Sequence, residues 1–427
     1  MRKIILMTTI VVYMSVLQAQ NWTQLAYFLT GTMEIPTINS MVEYNGDLYI
    51  GGHFASGGGI VASNIARWNG TSWSALNSGC DGKVNALAVY NGELYVGGDF
   101  GITGGISSPY MAKWNGSTWS EVSFYNHKVK SLIVNNNDLI VATSDSYTAY
   151  NMYEWDGSNW THFGGTYKVR ADQLCVHDNE LYVAGVFNDT SLTNNDFYGI
   201  AKWDGSGWID ITGVTGGTSN NYMTASLVSY NGCLYLSGNY IYSLGGITID
   251  NIAKWDGVSW SNVPLGSSST SMSCLFSHST GLYFSCVENE GYRKVVKWNG
   301  TSWTPISQGG ISLDVWIFLY YNSKLFTVNG SSSGHSTVNF ITPSSSDVES
   351  NELLNFVEIY PNPSNDLINI GATSNIDEIK VYNELGQLLY SSTPKIKKVS
   401  IKLEGKGVFI IKITCGKQTG IKKIVLD

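Results

Sequence analysis

The 427-residue chain is short of charge: Asp, Glu, Lys and Arg together make up only 14% of it. Its 25 basic residues are outnumbered by 33 acidic ones, giving a formal charge of −8, and no basic cluster breaks that balance. Nucleic acid and anionic membrane are therefore excluded as electrostatic partners, since both require a concentrated positive surface. Long helices would need more Ala, Glu, Lys and Leu than this composition offers. Instead there are 46 glycines and 13% aromatics, the signature of a turn-rich β protein.

Other absences narrow the chemistry. No CxxC or CxxxC occurs and no Asp-x-Asp-x-Asp-Gly loop is present, so neither zinc nor calcium sites of the usual kinds are expected; the expectation is no metal and no cofactor. The six cysteines (Cys80, Cys175, Cys233, Cys274, Cys286 and Cys415) are irregularly spaced. Cys274 and Cys286 share one hairpin, but its register sets Cys274 opposite Ser285 and turns Cys286 to the other face, which argues against a disulfide. The six histidines occupy no common repeat position except His177 and His278, which replace a turn-flanking Tyr. A convergent copper site of the galactose oxidase kind is therefore not expected.

Only one apolar run is long, and it lies at the start. Arg2 and Lys3 precede Ile4 to Leu17, and Ala19 is a small residue suited to cleavage before Gln20. About 14 apolar residues fall short of the roughly 20 that span a bilayer. Residues 1–19 are read as a signal peptide and no transmembrane segment is expected.

What fills residues 20–341 is a repeat of about 46 residues. One motif, Trp-[Asn/Asp]-Gly-x-x-Trp, occurs six times: Trp68–Trp73, Trp114–Trp119, Trp155–Trp160, Trp203–Trp208, Trp255–Trp260 and Trp298–Trp303. A second, Tyr-Asn-Gly-x-Leu-Tyr, is clearest at Tyr44, Tyr90 and Tyr230, with weaker copies at Asn136, His177, His278 and Tyr321, making seven. Asn-Gly between alternating apolar residues predicts a hairpin, because both turn residues accept positive φ. Each repeat thus holds two hairpins, here called strands A to D. In the second copy they are expected at Val84–Tyr90, Glu93–Phe100, Tyr110–Trp114 and Trp119–Val122. The fold class is all-β, a seven-bladed propeller of four-stranded blades, with six or eight blades as the alternatives. The paired tryptophans flank the C–D turn, where cross-strand packing outweighs a sugar-stacking role.

Seven hairpins against six tryptophan pairs leave one blade incomplete. The last copy stops after three strands, while Asn21-Trp22-Thr23-Gln24-Leu25 matches strand D with no strand C before it. Residues 21–25 are therefore expected to complete the last blade and close the ring, removing an exposed edge. The run Leu94-Tyr95-Val96-Gly97-Gly98-Asp99-Phe100, followed by Gly104-Gly105 and Met111 to Gly116, resembles the kelch-related propeller repeats of secreted bacterial proteins and fungal cortical-marker proteins. That resemblance implies a fold and no shared reaction.

Residues 342–353 are polar and aperiodic and read as a linker. After it tryptophan vanishes, and seven short strands over 354–427 predict a small β-sandwich. Three stretches, Ile359-Tyr360-Pro361-Asn362-Pro363, Val381 to Leu388 around Gly386, and Gly407-Val408-Phe409 through Lys422-Lys423-Ile424-Val425, resemble the type A sorting domain of the type IX secretion system of Bacteroidota. Phe409 stands where that family often has Tyr, and Asp427 follows the lysine-rich strand. The resemblance implies Sec-dependent passage to the periplasm, recognition by the type IX translocon, and release or surface attachment outside the cell.

Function within the propeller is expected on the face carrying the B–C and D–A connections, which vary in length, as over Ala55–Ser63 and Asn188–Tyr198. Variable loops on a rigid scaffold are common binding sites. The polar residues ending strand B, His53, Asp99, Asp145, Asn239 and Glu288, would ring that face. No catalytic residues are picked out. The expectation is a non-catalytic binding protein for a glycan or protein ligand; the alternative is a secreted carbohydrate-active enzyme, which would need two opposed carboxylates.

Overall fold

A computed structural model describes residues 22–31, 34–125, 127–143, 151–165, 167–189, 197–212, 223–239, 243–249, 252–264, 271–287, 293–306, 315–330, 336–342, 357–360, 367–372, 374–383, 387–403, 407–415 and 418–426. The chain divides into two compact units, Met1–Pro343 and Ser344–Asp427. Among the described residues every regular element is a strand.

The first unit is built on the repeat. Its A strands are Thr37–Tyr44, Val84–Tyr90, Val129–Asn135, Tyr167–His177, Met223–Tyr230, Ser271–His278 and Val315–Tyr321. Each begins an antiparallel A-B-C-D sheet; in the second copy B, C and D are Glu93–Gly98, Met111–Trp114 and Trp119–Glu121. Successive A strands pack side by side, and the last contacts the first, so the circuit returns on itself. This is a β-propeller.

Local chemistry explains the regularity. Asn45 and Gly46 have φ of 50° and 79°, and Asn91 and Gly92 have 48° and 75°, the paired positive values of a tight hairpin turn. The Gly-Gly at the end of strand B answers two close approaches. A Cβ on Gly97 would lie 2.4 Å from Val129 of the next copy's A strand, and one on Gly98 would lie 2.0 Å from the Lys83 carbonyl oxygen. Those contacts are fixed by a β-bulge near the start of every A strand, where the pairing skips Asn39, Asn85, Lys130, Asp172, Ala225, Ser273 and Trp316 in turn.

The seventh sheet takes its fourth strand from the other end of the chain. Strand Thr23–Leu29 pairs antiparallel with Ser336–Ile341, setting Thr23 opposite Phe340 and Phe28 opposite Ser336. It runs four residues beyond the expected Leu25, because its far end also pairs with Ser56–Gly57 of the first copy. Phe28 is fully buried there, 4.9 Å from the Phe54 ring and 5.3 Å from Trp73 in edge-on contact. Two further hydrogen bonds join last copy to first: Tyr321 Oη donates to Gly46 O at 2.9 Å and Ser336 Oγ to Pro36 O at 2.7 Å.

The B–C connections differ from expectation. In three copies they fold into small hairpins: Ser56–Gly57 with Ile60–Val61, Ile102–Thr103 with Ile106–Ser107, and Ser243–Leu244 with Ile247–Thr248. The cause is packing: a Cβ on Gly58 would come within 2.2 Å of the Trp73 indole, and one on Gly104 within 2.0 Å of Trp119, so the hairpin backbone lies flat on the ring. In the fourth copy, Glu180–Asp189 and Phe197–Trp203 pair as far as Phe187 with Phe197, taking both ends of the expected Asn188–Tyr198 loop into strands.

The second unit has two sheets, one of Val357–Tyr360, Leu367–Ala372 and Lys398–Lys402, the other of Leu388–Ser392, Glu378–Asn383, Gly407–Cys415 and Gln418–Leu426. Alternate residues from both, including Ile368, Ile370 and Ile401 from the first and Ile379, Val381, Ile411 and Ile413 from the second, form one buried core. That is a β-sandwich, the period-2 burial of strands with one face inward.

Candidate functional site

The expected site residues fall into three groups. Asp145, Glu288, Pro361, Asn362, Pro363, Gly386, Ala19 and Gln20 lie outside the described residues. Asn239, Tyr360, Gly407, Lys422 and Lys423 sit on described strands, Asn239 at the end of Cys233–Asn239, but their side chains lie outside the description. His53 and Asp99 are described in full.

His53 and Asp99 each have a partner of their own. His53 Nε2 lies 2.5 Å from Glu34 Oε2. Asp99 Oδ1 accepts a hydrogen bond from Asn85 Nδ2 at 3.0 Å, and its other oxygen lies 3.6 Å from Lys128 Nζ. Asn85 is a bulge residue, and it also donates to Val129 O at 2.9 Å in the next copy. The bulges thus place polar groups where sequence reasoning did not look. Asn39 donates to Val84 O, and Lys130 Nζ reaches Asp172 Oδ1 at 2.8 Å, with Arg170 on the other Asp172 oxygen at 3.1 Å. Four consecutive copies are tied by this inner polar chain. Residue type gives no signal for it, since Asn, Asn, Lys and Asp share no pattern.

At the opposite end of the strands the tryptophan motif is structural. All six pairs stand directly opposite across strands C and D, with ring centroids 4.9–5.4 Å apart. The Asn or Asp carboxamide or carboxylate oxygen caps its own turn: Asn69 Oδ1 accepts from the N–H groups of Thr71 and Ser72, and Asp256 Oδ1 from those of Val258 and Ser259. The backbone bonds hold the Asp156, Asp204 and Asp256 carboxyls below the usual carboxylate range. In three copies the second indole also ties copies together: Trp119 Nε1 donates to Leu76 O at 3.1 Å, Trp160 Nε1 to Ser123 O at 2.7 Å and Trp260 Nε1 to Ile211 O at 2.6 Å.

One repeat position breaks its own rule. In three copies strand B begins with an acid facing a base on strand C: Asp47 with Arg67, Glu93 with Lys113, Glu180 with Lys202. In the third copy the acid is Asp138 and the base is replaced by Glu154. Burial, then the Asp138 charge, push the Glu154 carboxyl above its ordinary range.

Burial favours the protonated form of the described inner thiols. Cys80, Cys175 and Cys274 are pushed up to about 12 by burial, and Cys274 pairs with Ser285 as its hairpin register requires. Among the described residues, no group of three or more His, Cys, Asp or Glu is arranged to hold a metal ion.

Two grooves open at the turn end of the sheets. One, of about 660 Å³, lies between the fourth and fifth copies and includes Glu180, Lys202, Asp210, Trp255 and Val258. The other, of about 480 Å³, lies between Thr23–Leu29 and the first copy and includes Gln24, Tyr27, Ile60, Trp68 and Thr71.

Comparison with known proteins fits both units. Residues 358–427 match the secretion system C-terminal sorting domain, and residues 17–173 match the Rax2 C-terminal beta propeller domain. No curated protein matches the chain significantly. The chain is similar in fold to PorZ, a surface component of the type IX secretion system of Porphyromonas gingivalis, at 14% identity and a TM-score of 0.40. That match covers 93% of this chain and 60% of PorZ. It is also similar to the β-propeller domain of the Trilobed protease from Pyrococcus furiosus, at 8% identity and a TM-score of 0.45, covering 73% of this chain and 98% of that domain. The extracellular domain of a putative hybrid two-component system from B. thetaiotaomicron matches at 11% identity and a TM-score of 0.39, over 91% of this chain and 61% of its own.

Fold and tail together define a β-propeller protein carrying a type IX secretion sorting domain. The sorting domain marks it as secreted or displayed at the cell surface, and no described helix is long and apolar enough to cross a membrane.

Proposed function

We propose that the first unit is a seven-bladed propeller closed by its N-terminal strand, and that it acts outside the cell as a non-catalytic binding scaffold for a glycan or protein ligand. Residues 1–19 would be removed as a signal peptide during Sec export, residues 342–353 would link the units, and residues 354–427 would be read by the type IX translocon. The observation that carries the binding reading is the inner polar chain. Lys130 and Asp172 tie the third copy to the fourth, and Asp99 is held by Asn85 of its own copy and by Lys128 of the next. Such ties favour a rigid frame over a reaction centre with carboxylates poised for proton transfer. A polysaccharide and protein array probed with the exported chain tests this: retention without product release supports it, and depolymerisation overturns it.

One observation favours the rival reading of a carbohydrate-active enzyme. Glu154 beside Asp138 is a carboxyl kept protonated to higher pH next to a second carboxylate, the combination that glycoside hydrolysis uses. If it were catalytic, Glu154→Gln would abolish sugar release; on the binding reading that substitution only removes a like-charge contact.

A further inference from the structure

The two grooves share part of one wall pattern. In the larger, the walls are His177, Asp178, Glu180, Tyr182, Lys202 and strand D of the fourth copy and, from the fifth, the small hairpin, the C–D turn and the tryptophan pair. In the smaller, strand Thr23–Leu29 takes the place of strand D, and the first copy supplies the same hairpin, turn and pair. The correspondence runs residue by residue through the repeat: Asp210, Ile247, Trp255 and Val258 in one are Gln24, Ile60, Trp68 and Thr71 in the other. Both first tryptophans are half-buried, as are Trp155 and Trp203, and present part of the ring to the groove, whereas Trp114 and Trp298 are buried. Beside Trp255 stand Val258 at 85% and Ile209 at 46% exposure.

We infer that these grooves are paired subsites for a polysaccharide of neutral sugars. Each offers an indole surface for the apolar face of a sugar ring, and hydrogen-bonding groups at its edge for hydroxyls: the Glu180–Lys202 pair at 2.7 Å in the larger groove, Gln24 and Thr71 in the smaller. Volumes of about 660 and 480 Å³ suit short oligosaccharide segments. Charge selects among sugars. The larger groove holds Asp178, Glu180, Asp210 and Asp256 against Lys202, an excess of negative charge that repels uronic or sialic acids. Repetition favours polymer over monomer: two like subsites on one ring raise avidity for a chain long enough to span them. The inference rests on the binding reading above, keeps the B–C connections through Ile60 and Ile247, and adds the C–D turn and tryptophan pair.

The test is calorimetric titration of the full mature chain with neutral glucans and mannans and with a polyuronate of similar length. The variants Val258→Glu and Thr71→Glu place a charged chain over each ring from an exposed turn, away from the core; unchanged melting verifies folding. The expected result is binding of a neutral polymer at least about 10-fold tighter than its tetrasaccharide, loss of that advantage in either single variant, and loss of binding in the double. Undiminished binding by the double variant overturns the grooves while leaving the binding reading intact. Equal binding of the polyuronate, or no binding of any neutral polymer, overturns the ligand class. Tighter capture of a basic protein by the glutamate variants would assign the grooves to protein instead, and depolymerisation would overturn the binding reading itself.

Discussion

The joint between the first and second copies and the seam between the seventh and first do the same work by different means. At the ordinary joint the chain itself crosses over: after Leu76 it bonds to the next hairpin, with Asp81 N donating to Ile102 O, Gly104 N to Gly79 O, and Asp81 Oδ1 accepting from the Gly101 and Ile102 N–H groups. Covalent continuity makes that joint local and inexpensive in loop-closure entropy. At the seam Thr23–Leu29 runs on into the first copy as strand D does elsewhere, but within the last sheet no peptide bond joins it to Ser336–Ile341, and the pairing brings together residues some three hundred positions apart. Side chains substitute for continuity. Phe28 fills the hairpin pocket with an aromatic ring, while Tyr321 and Ser336 reach across to first-copy carbonyls. The hydrogen bond of Tyr321 repeats one made inside the chain, where Tyr44 Oη donates to Gly92 O at 3.1 Å. The passage to the first copy is thus an ordinary joint, and the break lies within the last sheet, where strand pairing and burial replace the C–D turn.

This comparison predicts a ranking of effects. Removing residues 22–29 should have the largest, leaving Ser336–Ile341 as a bare edge; thermal melting should lose its single cooperative transition and aggregation should rise. Next is Phe28→Ala, which empties a fully buried aromatic site and should cost about 3–5 kcal/mol in denaturant unfolding. Smaller is the matched pair Tyr321→Phe and Tyr44→Phe, each removing one inter-copy hydrogen bond worth about 1 kcal/mol. If the seam is the weaker joint, Tyr321→Phe lowers the melting temperature more than Tyr44→Phe; equal shifts would mean that the ring unfolds as one unit.

The smallest effect concerns C–D turns that lie away from both seam and joint. Asp156, Asp204 and Asp256 have folded-state pKa values below their unfolded ones, so their stabilisation is present above the unfolded value, near 4, and fades as pH falls through the folded value. Replacing all three by Asn, the residue already at positions 69, 115 and 299, should flatten the acid limb of stability below about pH 4 and leave neutral pH unchanged. Glu154 has the opposite sign. Its raised pKa means stability is lost as pH rises through its titration, so Glu154→Lys, restoring the pairing with Asp138, should raise the melting temperature at neutral pH.

The repeat was legible because its turns demand particular residues. Asn-Gly supplies the paired positive φ of the A–B turn, and Trp-Asn-Gly-x-x-Trp encodes both the capped C–D turn and the ring pair beside it. The closing strand was legible in outline from Trp22, yet its extension to Leu29 was not, because pairing with Ser56–Gly57 depends on a hairpin taken for a loop. That hairpin had a signal: Gly58-Gly59, Gly104-Gly105 and Gly245-Gly246 recur in phase with the tryptophans they cover. The inner bulges had none, since a bulge is fixed by backbone register and tolerates Asn, Lys, Asp or Ala alike. For the same reason the tie of Asp99, one residue past strand Glu93–Gly98, to Asn85 was not legible.

Amide hydrogen exchange across Thr23–Leu29 tests the closure most directly. If this strand completes the last sheet, the amides pairing it with Ser336–Ile341 exchange only through global unfolding, with protection matching that of inner strand Val84–Tyr90. Exchange of Thr23–Leu29 in the fast, locally fraying regime, while Val84–Tyr90 stays protected, would contradict it.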